Sequence, residues 1–579
     1  MSTEHAPNPE VGTAADSIRA LADRYVVSYF DAFPDSATLA GQVDAAHDRL
    51  PDISTAARER WHAEADELLS RLDDIDASRL PIGHPARVTA AFLRELLEAS
   101  RDFRRCRSEL WDVSPSFNGW PQHIAVLAGA QPVATTGEQD AALRRFTQLP
   151  RYIDQEIDNA REGIGLGYTS PRCNVEAMLR QLDSMLDSPI EDAPVVAMAE
   201  PGTAFHARLV ELETARIRPA IARYRDFLRE EYLPAAREDI GLSSLPDGER
   251  AYRAAVRYHS SVDMPPEEVH RLGLEQMALV RSEMRELARA EFGTDDVDSL
   301  LQRLRTDPAY LFTSRDELMR AACDAVDRAT ELSAAWFGRM PAAGVVVRPV
   351  PAFAEATAPA GHYRPPAEDG SRPGTYYINL HQAERQPRAG LESTAFHETV
   401  PGHHLQLALA VERRDLHPIS RYLFLSGFCE GWALYAERLA DEIGLFTGPI
   451  DRMGLLNNEA FRAARLVVDP GIHVMGWSRQ QAIDYMLANT AEPAATVAAE
   501  VDRYIAVPGQ ATAYMIGRIE ITRLRDLARS RLGPRFDPRE FHDRLLEDGS
   551  VPLAFLREKI ERWLEGVTPG VTEGDAERR

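Results

Sequence analysis

The stretch "AFHETVPGHHLQ", residues 395–406, decides how this chain is read. His397 and Glu398 form the first half of the HExxH metal signature, in which the second histidine stands four residues after the first. Pro401 occupies that position, and His403 and His404 follow it. In an unbroken α-helix neither could share a metal with His397. Residue 403 would point about 120° away, and residue 404 would share the face but lie about 10 Å further along the axis. Proline removes a helical hydrogen bond and glycine tolerates unusual backbone angles. Pro401-Gly402 therefore predicts a two-residue bulge between Thr399 and Gly402 that returns His403 to the first histidine. His404 would need three extra residues, so His403 is favoured as second ligand.

A third ligand is sought downstream. "LSGFCEGWALYAERLADEIG", residues 425–444, carries Glu430 and Glu437 on an otherwise apolar helix. Carboxylates are seldom buried unpaired. Glu430 is expected to complete a set of His397, His403 and Glu430, and Glu437, almost two turns on, to orient a ligand histidine. Three protein ligands around Zn²⁺ leave one position for water, as catalytic zinc requires. Glu398 points away from the ligand line and is the expected general base. Cys429 has no base beside it and reads as a packing residue.

The metal stretch follows the only part of the chain with a strand pattern. "GVVVRPVPAF" (344–353) and "GTYYINL" (374–380) are β-branched and aromatic runs, expected as two strands, with the prolines suited to an edge. The connection between them, including "HYRPPAEDGSRPG", reads as a loop. Elsewhere apolar residues recur at three- and four-residue spacing, as in "ARVTAAFLRELLEASRDFRRCRSEL", so the fold is expected to be mainly α with a small sheet at 344–380 beside the active-site helix. Pro219 predicts a kink, and Asp263 a cap on the helix that follows it. The expected division is a disordered N-terminus (1–12), a helical lobe (13–250), a catalytic lobe (251–565) and a disordered tail (566–579).

Composition narrows the partners. A net charge of −24 argues against nucleic acid or an anionic membrane. No run of about twenty apolar residues is present to span a bilayer, and no signal peptide is seen. Cys106, Cys173, Cys323 and Cys429 show no close pairing and read as reduced thiols of a cytoplasmic protein.

"YYINL", "HETVPGHHLQ", "EGWALYAERL", "GIHVMGWSRQQAIDYM" and "PGQATAYMIGRIEITRLRDLA" together resemble the domain-of-unknown-function 885 family of bacterial proteins, most clearly over residues 255–560. More distantly, "HE…GHH…GFCE" is similar to zinc metallopeptidases of the gluzincin type, such as angiotensin-converting enzyme and thimet oligopeptidase. That resemblance implies a two-lobed helical zincin-like fold with a deep channel, one zinc per chain, and Tyr514 as the hydrogen-bond donor to the developing oxyanion. Around the metal, His404, His473 and Arg518 are candidates for substrate binding or support, Arg518 for a substrate carboxylate; for His473 the structural role of a helix cap is favoured over substrate binding. The expected activity is zinc-dependent hydrolysis of amide bonds in short peptides or N-acyl amino acids. The alternatives are a zinc amidohydrolase or lyase acting on another small molecule, and a binding protein that has lost catalysis.

Overall fold

The structure, a computed structural model, describes residues 9–42, 45–115, 119–351, 355, 359–368, 370 and 372–567. Helix makes up 72% of it, about twice the globular average, and the rest of the regular structure is one small sheet. The sheet has three strands: β1 (Val345–Pro349), β2 (Gly361–Arg364) and β3 (Gly374–Ile378), in the order β1-β3-β2. β1 runs parallel to β3 and β2 antiparallel to it. The two expected strands are β1 and β3, and Pro349 does lie at an edge. β2 corrects the loop reading of its segment: four residues beginning with a glycine carry little strand pattern of their own, and their pairing with the buried β3 supplies the order.

Three other expectations are corrected. The first helix begins at Pro9, so residues 9–12 are ordered. Ile18, Leu21, Ala22 and Tyr25 form its buried stripe at three- and four-residue spacing. The last helix runs Leu553–Val567, so residues 566 and 567 belong to it; residues 1–8 and 568–579 lie outside the described residues. Asp263 does not cap the helix Pro266–Phe292, whose N-cap is Pro265, because its carboxylate is taken by Arg253 at 2.6 Å. Near Pro219 the helix is interrupted by a π-turn over Glu213–Ile217, where the extra residue per turn accommodates the proline that follows.

Hydrophobic packing runs across residue 250. One cluster joins Ile18, Phe92 and Trp111 to Met284, Trp432 and Ile560. A second is confined to residues 50–236. A third packs Tyr376 and Ile378 of β3 against Ala395 and Phe396, which fixes the metal stretch to the sheet.

Five helices carry the candidate site: α1 (Leu391–Glu398), α2 (His403–Glu412), α3 (Ser426–Ile443), α4 (Pro449–Val474) and α5 (Ala513–Leu532). α3 and α5 cross with their backbones in contact. A Cβ on Gly517 would lie 1.8 Å from the Gly427 carbonyl oxygen, and one on Gly431 2.5 Å from the Gly517 backbone. No side chain fits between them, so the crossing sets Glu430 on α3 at a fixed height against Tyr514 on α5.

Candidate metal centre

The Pro-Gly break is larger than a bulge. α1 ends at Glu398, the chain turns through Thr399–Gly402, and α2 starts at His403. Val400-Pro401 is cis. The Gly402 amide donates to the Phe396 carbonyl at 3.0 Å and the His404 amide to the Thr399 carbonyl at 3.0 Å, so the turn keeps its backbone bonds. Gly402 is required by space: a Cβ there would sit 2.0 Å from the His397 carbonyl oxygen. α2 can therefore begin directly against the last turn of α1, and His403 returns to His397.

Three side chains meet there. His397 Nε2 lies 3.5 Å and His403 Nε2 3.4 Å from Glu430 Oε2. The imidazole rings are perpendicular, with centroids 4.8 Å apart. Among the described residues, His397, His403 and Glu430 are the group of His, Cys, Asp and Glu side chains able to hold a metal ion. A tetrahedral ion with bonds near 2.1 Å needs ligand-to-ligand edges of roughly 3.4 Å, the length of both edges to Glu430; all three donor atoms lie within 4.8 Å of one another. Side-chain exposure rises from 4% at His397 to 12% at His403 and 22% at Glu430, so the cluster opens on the Glu430 side.

Behind it, Glu437 holds His397. His397 Nδ1 donates to Glu437 Oε1 at 2.8 Å, which leaves Nε2 as the free donor to a metal. The other oxygen of Glu437 accepts from the Ser393 hydroxyl. Burial alone would lower the His397 pKa, but hydrogen bonds to Glu430 and Glu437 outweigh it and raise it to about 9. Burial would likewise raise the Glu430 carboxyl, yet the two histidines hold it well below the usual carboxylate range. The His397 ring thus holds a proton between the two carboxylates. Because the folded pKa exceeds the ordinary 6.5, this proton stabilises the fold fully below pH 6.5 and the contribution disappears as pH rises through about 9. The melting temperature of metal-stripped protein should fall across that window more than that of metal-stripped His397→Gln; parallel curves would show that His397 holds no such proton.

Glu398 ends α1. Burial raises its carboxyl, opposed by His397, His403 and Arg462, so it shares the field of the ligand cluster without being one of the three. Tyr514 opens α5 half-buried, with the Arg465 guanidinium 4.5 Å over its ring. Burial and the Glu430 charge raise its phenol.

His404, His473 and Arg518 lie elsewhere. His404 turns to the sheet: Tyr363 donates to its Nδ1 at 2.8 Å, and its Nε2 donates to the Ala343 carbonyl at 3.0 Å. Both ring nitrogens are used, and burial brings its pKa down to about 4. His473 is a structural link, accepting from the Leu242 amide at 3.3 Å and donating to the Tyr504 carbonyl at 2.9 Å. Arg518 is paired with Glu459, a carboxylate shared with Arg438. Cys429 is an inert packing thiol, pushed up to about 12 by burial.

Several residues of the centre were not found from sequence. Ser393 holds Glu437, and Tyr376 is fully buried with a hydroxyl that has no hydrogen-bond partner among the described residues, in the field of Glu398. α4 carries a polar stripe of Asn458, Arg462, Arg465 and Asp469, of which Arg462 is half-buried and the others buried. Its signal was present as polar residues at three- and four-residue spacing inside the apolar "EAFRAARLVVDPGIHV".

The chain matches over residues 34–560 the family described as "Bacterial protein of unknown function (DUF885)". No curated protein matches it. A "putative lipoprotein" from Colwellia psychrerythraea has a similar crystal structure, with a TM-score of 0.87 and 28% identity over 95% of this chain and 99% of that one. A "putative lipoprotein of unknown function" from Shewanella oneidensis shares the fold, with a TM-score of 0.71 and 19% identity over 93% and 98%. No helix of the described residues is long and apolar enough to cross a membrane.

Proposed function

We propose that this chain, which belongs to the DUF885 family of bacterial proteins of unknown function, is a zinc-dependent hydrolase that cleaves amide bonds in short peptides or N-acyl amino acids. The observation that carries the reading is the donor set itself: His397, His403 and Glu430 converging within 4.8 Å of one another, with both edges to Glu430 near 3.4 Å, an acid beside the cluster and a carboxylate behind its first histidine. Two histidines from consecutive helices and a glutamate from a third support a gluzincin-type, zincin-like reading of the fold.

When bound, zinc would supply a Lewis acid that polarises the amide carbonyl and makes water a better nucleophile. His397, His403 and Glu430 would hold it. Glu437 keeps the His397 ring in one tautomer and one orientation. Glu398 takes the proton of the attacking water and returns it to the leaving amine nitrogen. Its burial and raised carboxyl suit a group that must both accept and give up a proton. The Tyr514 hydroxyl donates to the oxygen on which negative charge develops.

Retention of Glu398 supports a catalyst over a binding protein, which would need the ligands but not the base. The four free cysteines support a cytoplasmic location. The test is a digest of mixed short peptides and N-acyl amino acids, read by mass spectrometry, with zinc-loaded and chelator-treated protein. Products that require zinc are expected. An amidohydrolase or lyase of other scope would leave the whole mixture intact, and so would remove the peptide reading.

A further inference from the structure

α4 turns one face to the segment that delivers Tyr514. Arg465, Asp469 and His473 stand four residues apart on that helix, and each holds a point within residues 504–514. Arg465 Nε donates to the Tyr504 hydroxyl at 2.9 Å, and its guanidinium lies 4.5 Å over the Tyr514 ring. Asp469 Oδ1 accepts from the Gly509 amide at 2.9 Å. His473 Nε2 donates to the Tyr504 carbonyl at 2.9 Å. On its other side the segment is closed in: Gly509 has φ +78°, and a Cβ there would lie 2.7 Å from the Val256 nitrogen.

Burying three ionisable side chains on one helix is unfavourable unless each finds partners. Asp469 and His473 are fully buried, and the Arg465 side chain is 8% exposed. In each case a partner belongs to this segment. Arg465 is not needed to neutralise Glu500, although it donates to that carboxylate at 2.9 Å. Arg503 also donates to it, at 2.8 and 3.1 Å, and so does the Tyr504 hydroxyl at 2.9 Å. What Arg465 adds is the stack. Its Nη1 is buried with no hydrogen-bond partner among the described residues, and its guanidinium faces the rings of Phe461 at 4.6 Å and Tyr514 at 4.5 Å. A cation over an aromatic face is held most strongly where water is excluded. It restrains the ring from one side and draws electron density from the phenol, which makes the O–H a better hydrogen-bond donor.

We infer that Arg465 is a positioning residue: with the ties from Asp469 and His473, its stack holds Tyr514 as a preorganised donor that no loop movement has to bring into place. A preorganised donor costs no reorganisation at the moment of reaction. The inference rests on the hydrolase reading, in which Tyr514 is the oxyanion donor, and extends the machinery to a residue that does not touch substrate.

The test is a double-mutant cycle in full-length, zinc-loaded protein, on the compound cleaved fastest in the mixture of short peptides and N-acyl amino acids, with zinc content measured for each variant. R465M should lower kcat by on the order of 10-fold with KM little changed, and R465K by less, because an ammonium also stacks on a ring. In the Y514F background R465M should cost almost nothing further, because the donor it positions is already gone. An equal loss in both backgrounds, or a loss confined to KM, overturns the inference. Labelling with 3-fluorotyrosine gives a readout besides activity. The Tyr514 fluorine resonance, identified by its absence in Y514F, should shift and broaden in R465M, while the other tyrosines apart from Tyr504 keep theirs. An unmoved Tyr514 resonance, or a change spread over most of the tyrosines, makes Arg465 a packing residue and overturns the inference. If R465M does not fold, R465K carries both measurements, and a wild-type kcat and resonance there overturn it. If wild type hydrolyses nothing, or Y514F keeps the wild-type kcat, the reading of the site fails by itself, and the fluorine resonance alone decides whether Arg465 positions Tyr514.

Discussion

Glu430→Ala protein should purify with zinc at trace level, while wild type carries one zinc per chain. Glu430 Oε2 lies 3.5 Å from His397 Nε2 and 3.4 Å from His403 Nε2, so it contributes to both ligand edges and its loss leaves two histidines with no anionic donor. The graded series is the stronger check. His403→Ala should lose zinc to the same degree. Glu437→Gln should weaken binding by about 10–100-fold, the usual effect of removing the partner that orients a ligand histidine. His404→Ala should keep zinc, because its ring nitrogens are engaged by Tyr363 and Ala343. Elemental analysis after dialysis against a weak chelator reads the series directly. Equal zinc in Glu430→Ala and wild type would take Glu430 out of the centre. Zinc lost in His404→Ala but kept in His403→Ala would reverse the choice of histidine.

The return of His403 to His397 was legible in the sequence because it depends on local chemistry. Pro401 and Gly402 stand within a few residues of both histidines, and elementary helix geometry excludes every unbroken arrangement. What sequence reasoning underestimated was the extent of the break. It expected a bulge within one helix; the close approach of Gly402 to the His397 carbonyl instead allows a full turn and a new helix. Glu430 and Glu437 were legible for a related reason, as carboxylates on an otherwise apolar helix must be paired with something.

The residues that were missed have distant partners. Arg462 faces Glu437 across 25 positions of sequence, and Arg465 faces Tyr504 across 39. The chain has 66 basic side chains, almost all of them arginine, so no single one stands out until its neighbours are known. β2 was hidden in the same way, since its order comes from β3 rather than from its own residues. Its Tyr363 in turn fixes His404, and Gly374 on β3 leaves room for both: a Cβ there would lie 2.5 Å from His404 Nδ1 and 2.6 Å from the Tyr363 hydroxyl. The sheet therefore occupies His404 and leaves His403 beside His397 and Glu430, a division that spacing alone could favour but not explain.

Glu398→Gln separates the base from the ligands. Glutamine keeps the size of the side chain and its capacity to hydrogen-bond, but it cannot accept a proton at neutral pH. Glu398 is not one of the three side chains that converge as donors, so the variant should keep its zinc and its fold. Activity on a substrate found in the digest should fall by about 10²–10⁴-fold, the range for removing a positioned general base. Tyr514→Phe should also keep zinc and lose roughly 10²–10³-fold, the scale of one oxyanion donor. His397→Ala differs from both, losing metal and activity together. The discriminating measurement is kcat at a measured zinc content of one per chain. If Glu398→Gln then turns over the substrate at nearly the wild-type rate, water activation by Glu398 is wrong, and the His397–His403–Glu430 cluster serves a structural metal or a different chemistry.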